Sequence, residues 1–402
     1  MRLTYTNVDG GITAPSGFRA AGVYCGIKAA GRGLDLAVIA SDGPSTVGAV
    51  FTTNLAQAAP ITVSKRHVAE GGGSARAFVV NSGCANACTG TDGMRDAEAM
   101  VLATADALAC DPAAVLVAST GVIGVKLEMT KVASGIAEAV RTLRRDGGAD
   151  AARAIMTTDP FPKETAVEVN ADAGTFRIGG IAKGSGMIEP NMATMLGFLT
   201  TDAAVDAATL QRALKRACDD TFNAITVDGE CSTNDCVFVL ANGASGVTPD
   251  EDALADALRQ VCEPLAIGIV RGGEGATKLI TVNVSGARSD SEARQAARAI
   301  ANSPLVKTAI HGGDPNWGRL VAVAGRSGAG FTLERAAVRI GGIELFVDGT
   351  PYDERAPEAA EYLKGKEITV EVDLGTGGRG RSRMWTCDLT AEYVRINAEY
   401  RT

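Results

Sequence analysis

The apolar residues of this chain occur in short runs separated by glycine, serine and asparagine. In the first third of the chain, three runs have the length and composition of β-strands: Leu34–Ala40, Gly48–Thr53 and Ala75–Val80. No run approaches the roughly 18 consecutive apolar residues that a membrane-spanning helix requires. The pattern therefore predicts short strands and no membrane-spanning segment.

Elsewhere the spacing of apolar residues predicts both helices and further strands. The predicted helices are about Asp92–Leu108, Thr130 to about Arg145, Asp206–Cys218, one that starts at Thr248, one that starts at Ser289 and closes at Ser303, and Arg355 to about Lys366. Thr130, Thr248 and Ser289 are predicted to cap their helices. The further strands are Val115–Ala118, Ala166–Val169, Phe176–Ala182, Ile280–Val284, Glu344–Gly349 and Glu367–Leu374, and the second and third are expected to form a hairpin.

The charge balance of the chain limits its partners. The 39 lysines and arginines are outnumbered by 47 acidic residues, so the net charge is −8. Because there is no basic excess to neutralise phosphates, we expect no nucleic-acid partner. Met1–Asp9 lacks the apolar core of a signal peptide, and we therefore expect a cytoplasmic protein.

Cysteine and histidine usage argues against two common kinds of site. Neither close cysteine pair, Cys84 with Cys88 or Cys231 with Cys236, has the two-residue spacing of a zinc knuckle. The only histidines are His67, which we expect on a solvated helical turn, and His311, which we expect in a glycine turn. Neither is accompanied by a Gly-x-Ser-x-Gly motif. We predict no metal site and no histidine-based hydrolase triad.

The segment from Lys183 to Asp202 permits two interpretations. Structurally, it is a glycine-rich turn that leads into an apolar strand, Met195–Leu199. Chemically, a chain break between Ala193 and Thr194 would give a threonine at a new N-terminus. Such a threonine carries its own base, because a free α-amine titrates at about 7.7–8.0. Residue types alone leave both interpretations open.

Five motifs carry a resemblance to a known family. Gly-Ser-Gly-Met-Ile-Glu-Pro-Asn-Met-Ala-Thr-Met-Leu at 184–196 closely resembles the self-cleavage segment of the ornithine acetyltransferase (glutamate N-acetyltransferase) family. The other four are Thr-Gly-Val-Ile-Gly at 120–124, Gly-Glu-Gly-Ala-Thr-Lys at 273–278, Asp-Pro-Asn-Trp-Gly-Arg at 314–319 and the tail at 393–402. In the fourth motif we expect Trp317 to anchor packing and Arg319 to pair with a carboxylate. Cys84, Cys231 and Cys236 depart from residues that are common in the family.

The resemblance implies a fold and a processing step. The fold would be α/β, with stacked sheets flanked by helices in the αββα-like arrangement of N-terminal-nucleophile enzymes, and with a smaller C-terminal α/β part at about 285–402. Self-cleavage between Ala193 and Thr194 would give chains 1–193 and 194–402. The two chains would stay associated, as an α2β2 heterotetramer.

The resemblance also implies a reaction and its residues. Thr194 would be the nucleophile, and Thr120 with Gly121 would form the oxyanion hole. The implied substrate-binding residues are Thr157, Lys183, Thr194, Glu274, Asn397 and Thr402, and for the last two the C-terminal tail would fold back over the active site. The acetyl group of N2-acetyl-L-ornithine would pass to L-glutamate in arginine biosynthesis without a cofactor or metal, and acetyl-CoA is an additional donor in some members.

Two other functions are compatible with the residues. The first is a self-processed aminopeptidase or amidase in which water is the acceptor, and the second is a non-catalytic binding or scaffold protein. Acetate release that does not depend on glutamate would favour the first. A single uncut 41.1 kDa species without an acetyl adduct would favour the second.

Overall fold

The computed structural model describes residues 3–172, 174–189 and 195–399. These residues form two compact units. The first unit contains the described residues up to Asn223 together with Glu230–Ile269. The second contains Ala224–Gly229 and the described residues from Val270 onward. The predicted division between residues 193 and 194 is a covalent one, which packing does not address, and it stays a prediction.

The first unit is built on one sheet with the strand order β1-β6-β7-β8-β9-β3-β4-β5, in which β2 also pairs with β3. Its strands are β1 Thr4–Asn7, β2 Phe18–Val23, β3 Leu36–Phe51, β4 Ser74–Cys84, β5 Val115–Val122, β6 Lys163–Ala171, β7 Gly174–Lys183, β8 Leu196–Thr201 and β9 Cys236–Ala241. Its helices are α1 Ala59–Glu70, α2 Gly90–Leu108, α3 Met129–Arg141, α4 Gly148–Ala154, α5 Ala207–Asp220 and α6 Glu251–Arg271, the last of which ends in the second unit.

Apolar side chains of β3, β4 and β5 contribute to two separate hydrophobic cores, one on each face of the sheet, because successive side chains of a strand point to opposite faces. Val38, Val79 and Val117 pack with apolar residues of α1, α2 and α3. The opposite face carries Phe78, which lies 5.6 Å from Phe198 of β8, measured between ring centroids. The two halves of the sheet are therefore stacked on each other through an aromatic core.

Helices also cover the outer face of the second half of this sheet. An added Cβ at Gly180 of β7 would meet Val261 and Leu265 of α6, and one at Gly48 of β3 would meet Leu210 of α5. Because these glycines have no side chains, the helices can approach the strands closely. The layers therefore follow the order helix, sheet, sheet, helix, which confirms the αββα-like arrangement.

The second unit is a smaller α/β structure with the strand order β13-β12-β11-β14-β10-β15. Its strands are β10 Leu279–Ala287, β11 Ala337–Ile340, β12 Ile343–Val347, β13 Thr350–Pro351, β14 Glu367–Asp373 and β15 Gly380–Cys387. Its helices are α7 Asp290–Ala301, α8 Pro304–Gly312, α9 Trp317–Arg326, α10 Ala356–Tyr362 and α11 Ala391–Glu399. Alternate residues of β10, such as Val282 and Val284, pack in one core with residues of α7 and α9.

Several element boundaries differ from the sequence-based expectations. The runs predicted at 34–40 and 48–53 belong to one strand, β3, whose pairing with β4 shifts register between Ala40 and Ser45. Helix α3 begins at Met129, so Thr130 is not its cap, and α6 begins at Glu251, where Asp250 rather than Thr248 accepts from the Ala253 amide. The cap predicted at Ser289 is confirmed.

In the described part of the chain, every helix is too short or too polar to span a bilayer.

Candidate functional site

The ends of β4 and β5 lie unusually close together in the first unit. The two strands run parallel, with Ser82 opposite Thr120 and Gly83 opposite Gly121. Gly121 has a φ of 128°, and a Cβ added there would lie 2.4 Å from the carbonyl carbon of Gly83. Only glycine fits this close approach. The backbone that carries Thr120 is therefore fixed at this edge of the sheet.

Lys183 and Thr120, which the sequence placed 63 residues apart, are in contact. The Lys183 ammonium donates to Thr120 Oγ1 over 3.1 Å, and both side chains are buried. An ammonium group has no acceptor, so Oγ1 must accept and the hydroxyl proton remains available to another acceptor. Thr120 can therefore still donate a hydrogen bond, which its predicted role in an oxyanion hole would require.

Thr120, Thr157, Asp159, Lys163 and Lys183 form a polar cluster, and Asp159 connects three parts of it. Its carboxylate accepts from the Lys163 ammonium at 2.6 Å, from the Gly184 amide at 2.7 Å and from the Thr157 amide at 2.9 Å. Burial alone would raise the pKa of Asp159, but the ammonium groups of Lys163 and Lys183 and these hydrogen bonds lower it to about 2. Asp159 is therefore ionised at neutral pH.

Sequence reasoning did not place Asp159 in the site. The available signal was an aspartate four residues before a lysine, in the sequence Asp-Pro-Phe-Pro-Lys at 159–163. Thr157 joins the cluster through its backbone amide, while its side chain is half-buried.

Asparagine side chains hold the strand that leads to Thr120. Ser119 Oγ donates to Asn81 Oδ1 at 2.6 Å, and Asn81 Nδ2 donates to the Cys84 carbonyl at 2.8 Å. Asn234, from the turn that follows Cys231, donates to the Ser119 carbonyl at 2.9 Å. Because these amides satisfy buried carbonyl groups, they rigidify the region without touching Thr120.

The three cysteines that depart from the family pattern lie in different surroundings. Cys84 is buried and its thiol lies 3.1 Å from the Val125 carbonyl, while Cys236 is buried at the start of β9. Burial raises the pKa of both thiols. Cys231 is half-buried, and its Sγ lies 3.7 Å from Thr52 Oγ1. All nine cysteines are free.

In the second unit, two predicted substrate-binding residues are in contact. Glu274 lies in the loop between α6 and β10 and is only 6% exposed. Asn397 of α11 donates from Nδ2 to Glu274 Oε2 over 2.8 Å. Thr390 Oγ1 donates to the Gly275 carbonyl at 2.8 Å, which ties the same loop to the start of α11. The carboxylate is therefore buried and oriented by the C-terminal helix.

Both histidines differ from their predicted surroundings. His67 is buried on α1, and its Nδ1 lies 2.8 Å from the Val115 carbonyl, so the prediction of a solvated turn was wrong. His311 lies in the last turn of α8 rather than in a glycine turn. Its Nδ1 is 2.8 Å from Asp388 Oδ2. Asp388 also accepts from the Thr277 and Lys278 amides at 2.8 Å each, which fixes the loop that carries Glu274.

The Asp-Pro-Asn-Trp-Gly-Arg motif packs inside the second unit. Trp317 stacks on Phe346 with ring centroids 5.1 Å apart, and its Nε1 donates to Asp353 at 3.0 Å. Arg319 donates to the Leu305 carbonyl at 2.7 Å. The expected carboxylate partner of Arg319 is thus replaced by a backbone carbonyl.

Three predicted residues, Ala193, Thr194 and Thr402, lie outside the described residues. The described strand nearest to the predicted break is β8, whose first residue, Leu196, is paired with Lys183. Across residues 3–172, 174–189 and 195–399, no three or more histidine, cysteine or acidic side chains are grouped so that they could hold a metal ion.

Comparisons with known proteins identify the family. The sequence model of the ArgJ family matches residues 19–402. The arginine biosynthesis bifunctional protein ArgJ of Symbiobacterium thermophilum is 51% identical over 402 residues, which cover 98% of this chain and 99% of the relative. Its counterpart in Bacillus subtilis is 46% identical and covers 98% and 97%. A crystal structure of the Bacillus halodurans protein of the same name matches with a TM-score of 0.50 and 46% identity, over 52% of this chain and 100% of the solved chain. This chain therefore belongs to the ArgJ family.

Proposed function

We propose that this chain is a glutamate N-acetyltransferase of arginine biosynthesis, which transfers the acetyl group of N2-acetyl-L-ornithine to L-glutamate. The names of the relatives, arginine biosynthesis bifunctional protein, support the pathway. The observation that carries the chemistry is the contact between Lys183 and Thr120, next to the close approach at Gly121. It brings predicted oxyanion and substrate residues together from distant positions in the sequence.

The proposed reaction has two half-reactions at Thr194. The α-amine of Thr194 accepts the hydroxyl proton, and Oγ attacks the acetyl carbonyl of N2-acetylornithine. Thr120 and Gly121 donate hydrogen bonds to the developing oxyanion. Ornithine leaves with a proton on its α-amine, and an acetyl-threonine ester remains. The α-amine of glutamate then attacks the ester, which gives N-acetylglutamate and restores Thr194.

Other residues bind the substrates in this proposal. Thr157 and Lys183 in the first unit, and Glu274, Asn397 and Thr402 from the later part of the chain, contact the amino-acid portions. Burial of the Glu274 carboxylate beside Asn397 supports a role in meeting a substrate ammonium group, because a buried carboxylate gains most from a charged partner.

Self-cleavage between Ala193 and Thr194 is part of the proposal, since it creates the free α-amine. The solved Bacillus halodurans chain matches over its full length but covers 52% of this chain. Residues 194–402 make up the same share of the 402 residues. A solved chain of that length supports division of the protein into two chains by cleavage. We propose that the two chains assemble as an α2β2 heterotetramer in the cytoplasm.

We also propose acetyl-CoA as a second acetyl donor, which the word bifunctional in the relatives' names supports.

The decisive experiment follows both scission and transfer. Purified protein is analysed by N-terminal sequencing and incubated with N2-acetylornithine, with and without glutamate. We expect two N-termini, one of which begins Thr-Met-Leu-Gly, and N-acetylglutamate that forms only when glutamate is present. A parallel incubation of acetyl-CoA with glutamate tests the second donor.

Variants of Thr194 provide the controls for this experiment. Thr194→Ala should abolish scission and turnover, because it removes the nucleophile, whereas Thr194→Ser should retain part of each. Normal turnover in the alanine variant would contradict the proposal. Acetate release at the same rate with and without glutamate would favour an amidase instead.

A further inference from the structure

Lys28 lies beside the candidate site, although no motif pointed to it. The segment that carries it is wrapped around the buried carboxylate of Asp35. Asp35 accepts from the backbone amides of Cys25, Gly26, Ile27 and Lys28 over 2.7–3.1 Å. Four amide donors satisfy this carboxylate and fix the path of the segment, so the position of Lys28 is set by the backbone.

The side chain of Lys28 lies against the close approach of β4 and β5. A Cβ added at Gly83 would lie 3.0 Å from Lys28 Cγ, and Gly83 is the residue paired with Gly121. The ammonium group of Lys28 donates to the Leu34 carbonyl at 2.7 Å. The strand end that carries Thr120 and Gly121 thus has a lysine next to it.

In the described part of the chain, the ammonium groups around this strand end outnumber the carboxylates. Three ammonium groups, of Lys28, Lys163 and Lys183, interact with two carboxylates, of Asp35 and Asp159. Asp35 is satisfied by amides, and Asp159 by Lys163 and two further amides. Among the described residues, Lys28 and Lys183 each donate to a single neutral oxygen, although an ammonium group has three donors.

Electrostatics place Lys28 in the same cluster. Burial lowers the pKa of Lys28 to about 8, while Asp35 and Asp159 oppose this change and Lys183 adds to it. Geometry places both side chains at the same strand end, because Lys28 lies against Gly83, the partner of Gly121, and Lys183 donates to the neighbouring Thr120. An anionic ligand would offset their repulsion and fill their unused donors.

We infer that Lys28 is a substrate-binding residue whose ammonium group, together with Lys183, holds a carboxylate of the amino-acid substrate. This inference rests on the proposed function, in which both substrates carry an α-carboxylate and glutamate carries a second carboxylate on its side chain. Lys28 contributes to binding and specificity, while the acetyl group reacts at Thr194.

The test compares Lys28→Met with Lys28→Arg, and uses Lys126→Met as a control because Lys126 is an exposed lysine of the same unit. KM and kcat are measured separately for N2-acetylornithine and for glutamate. We expect Lys28→Met to raise KM by about tenfold or more, as for a lost hydrogen bond to a charged group, with kcat changed much less. Lys28→Arg should restore most of the affinity, and the control should behave like the unmodified protein.

The pattern of KM changes distinguishes the two carboxylates. A rise for both substrates indicates the α-carboxylate, and a rise for glutamate alone indicates its side chain. The acceptors L-glutamine and L-isoglutamine each lack one carboxylate, so they can be combined with Lys28→Met as in a double-mutant cycle. The increase in KM caused by Lys28→Met should disappear with the acceptor that lacks the contacted group. A merely structural role would lower activity with all acceptors equally and would overturn the inference.

Two further outcomes keep the inference separate from the proposed function. If the unmodified protein transfers acetyl groups and Lys28→Met leaves both KM values unchanged, the inference is wrong while the proposed function stands. If the unmodified protein transfers nothing to glutamate, the proposed function itself fails. Lys28→Gln, which keeps a donor for the Leu34 carbonyl, replaces the methionine variant if that variant melts below the unmodified protein.

Discussion

Asp159 shows how one buried residue organises the candidate site. A buried ion pair is weak evidence for stability, since desolvation of both charges offsets their attraction. Asp159 does more than pair with Lys163, because its remaining hydrogen bonds come from the amides of Thr157 and Gly184. It therefore fixes the backbone next to Lys183 relative to the segment that contains Thr157.

Replacement of Asp159 by asparagine should be strongly destabilising. Asp159→Asn leaves the buried Lys163 ammonium without its carboxylate, which costs about 3–5 kcal/mol for a broken buried pair. The free energy of unfolding should be measured by urea titration in a Thr194→Ala background, so that one chain unfolds. Asp172→Asn is the control, because Asp172 is an exposed aspartate in the turn between β6 and β7.

The pH dependence of this effect has a definite sign. The pKa of Asp159 is lowered from 3.8 to about 2, so folding favours the ionised form. Its contribution to stability should be present in full above about pH 4 and be lost as the pH falls toward 2. The difference between the parent and Asp159→Asn should therefore shrink by about 2 kcal/mol over that range. A difference independent of pH would show that the charge of Asp159 is not what stabilises the fold.

The residues that sequence reasoning found and missed differ in kind. Thr120 lies in a recognisable motif and Lys183 directly precedes another, and the resemblance named both. Asp159 and Lys28 are placed at the site by contacts with Gly184 and Gly83, which are distant in the sequence, and no local pattern marks these two contacts. His67 illustrates the same limit. It lies next to charged residues in the sequence, but its side chain is buried next to the Val115 carbonyl of another element.

At the scale of elements, the geometry of the site depends on two glycine-containing strand ends. Strand β5 was predicted to end at Ala118, before Thr120, but it continues to Val122 in register with the end of β4. Continued pairing is possible because Gly83 and Gly121 have φ angles of 101° and 128° and carry no side chains. Neither a turn nor a regular strand alone would hold Thr120 in this way.

A side chain at residue 121 should therefore disrupt this region. Gly121→Ala would put Cβ 2.4 Å from the backbone of Gly83, so the two strands would have to separate. Gly124→Ala is a matched control, since Gly124 also has a positive φ of 77° but an added Cβ there meets nothing within 4 Å. We expect a loss of about 1 kcal/mol for Gly124→Ala from backbone conformation alone.

The loss for Gly121→Ala should exceed that of the control by about 2 kcal/mol or more, with a large decrease in acetyl transfer. Urea unfolding and the transfer assay measure the two effects. Equal stability and equal activity of the two variants would show that the close approach of β4 and β5 relaxes without cost.

At the scale of the whole molecule, each unit has its own core and its own sheet. Apolar periodicity predicted most helices and strands and the β6–β7 hairpin, because these depend on neighbours in the sequence. The order of strands does not follow from periodicity. Strand β9 lies between β3 and β8, and β10 pairs in parallel with β14. The resemblance to a family, not the pattern, supplied the layered arrangement of the first unit.

Removal of the chain end should separate processing from transfer. Deletion of residues 397–402 removes Asn397, so the buried carboxylate of Glu274 loses a donor, and it also removes Thr402, a second proposed substrate residue. We expect acetyl transfer to be abolished, while scission between Ala193 and Thr194 continues, because the residues proposed for cleavage precede the deleted segment. Intact-mass analysis follows scission, and N-acetylglutamate formation follows transfer. The control Glu399→Gln alters an exposed residue of the same helix and should keep transfer near normal. Full activity in the truncated protein would exclude Asn397 and Thr402 from substrate binding, and loss of scission together with transfer would mean that the end of α11 supports folding as a whole.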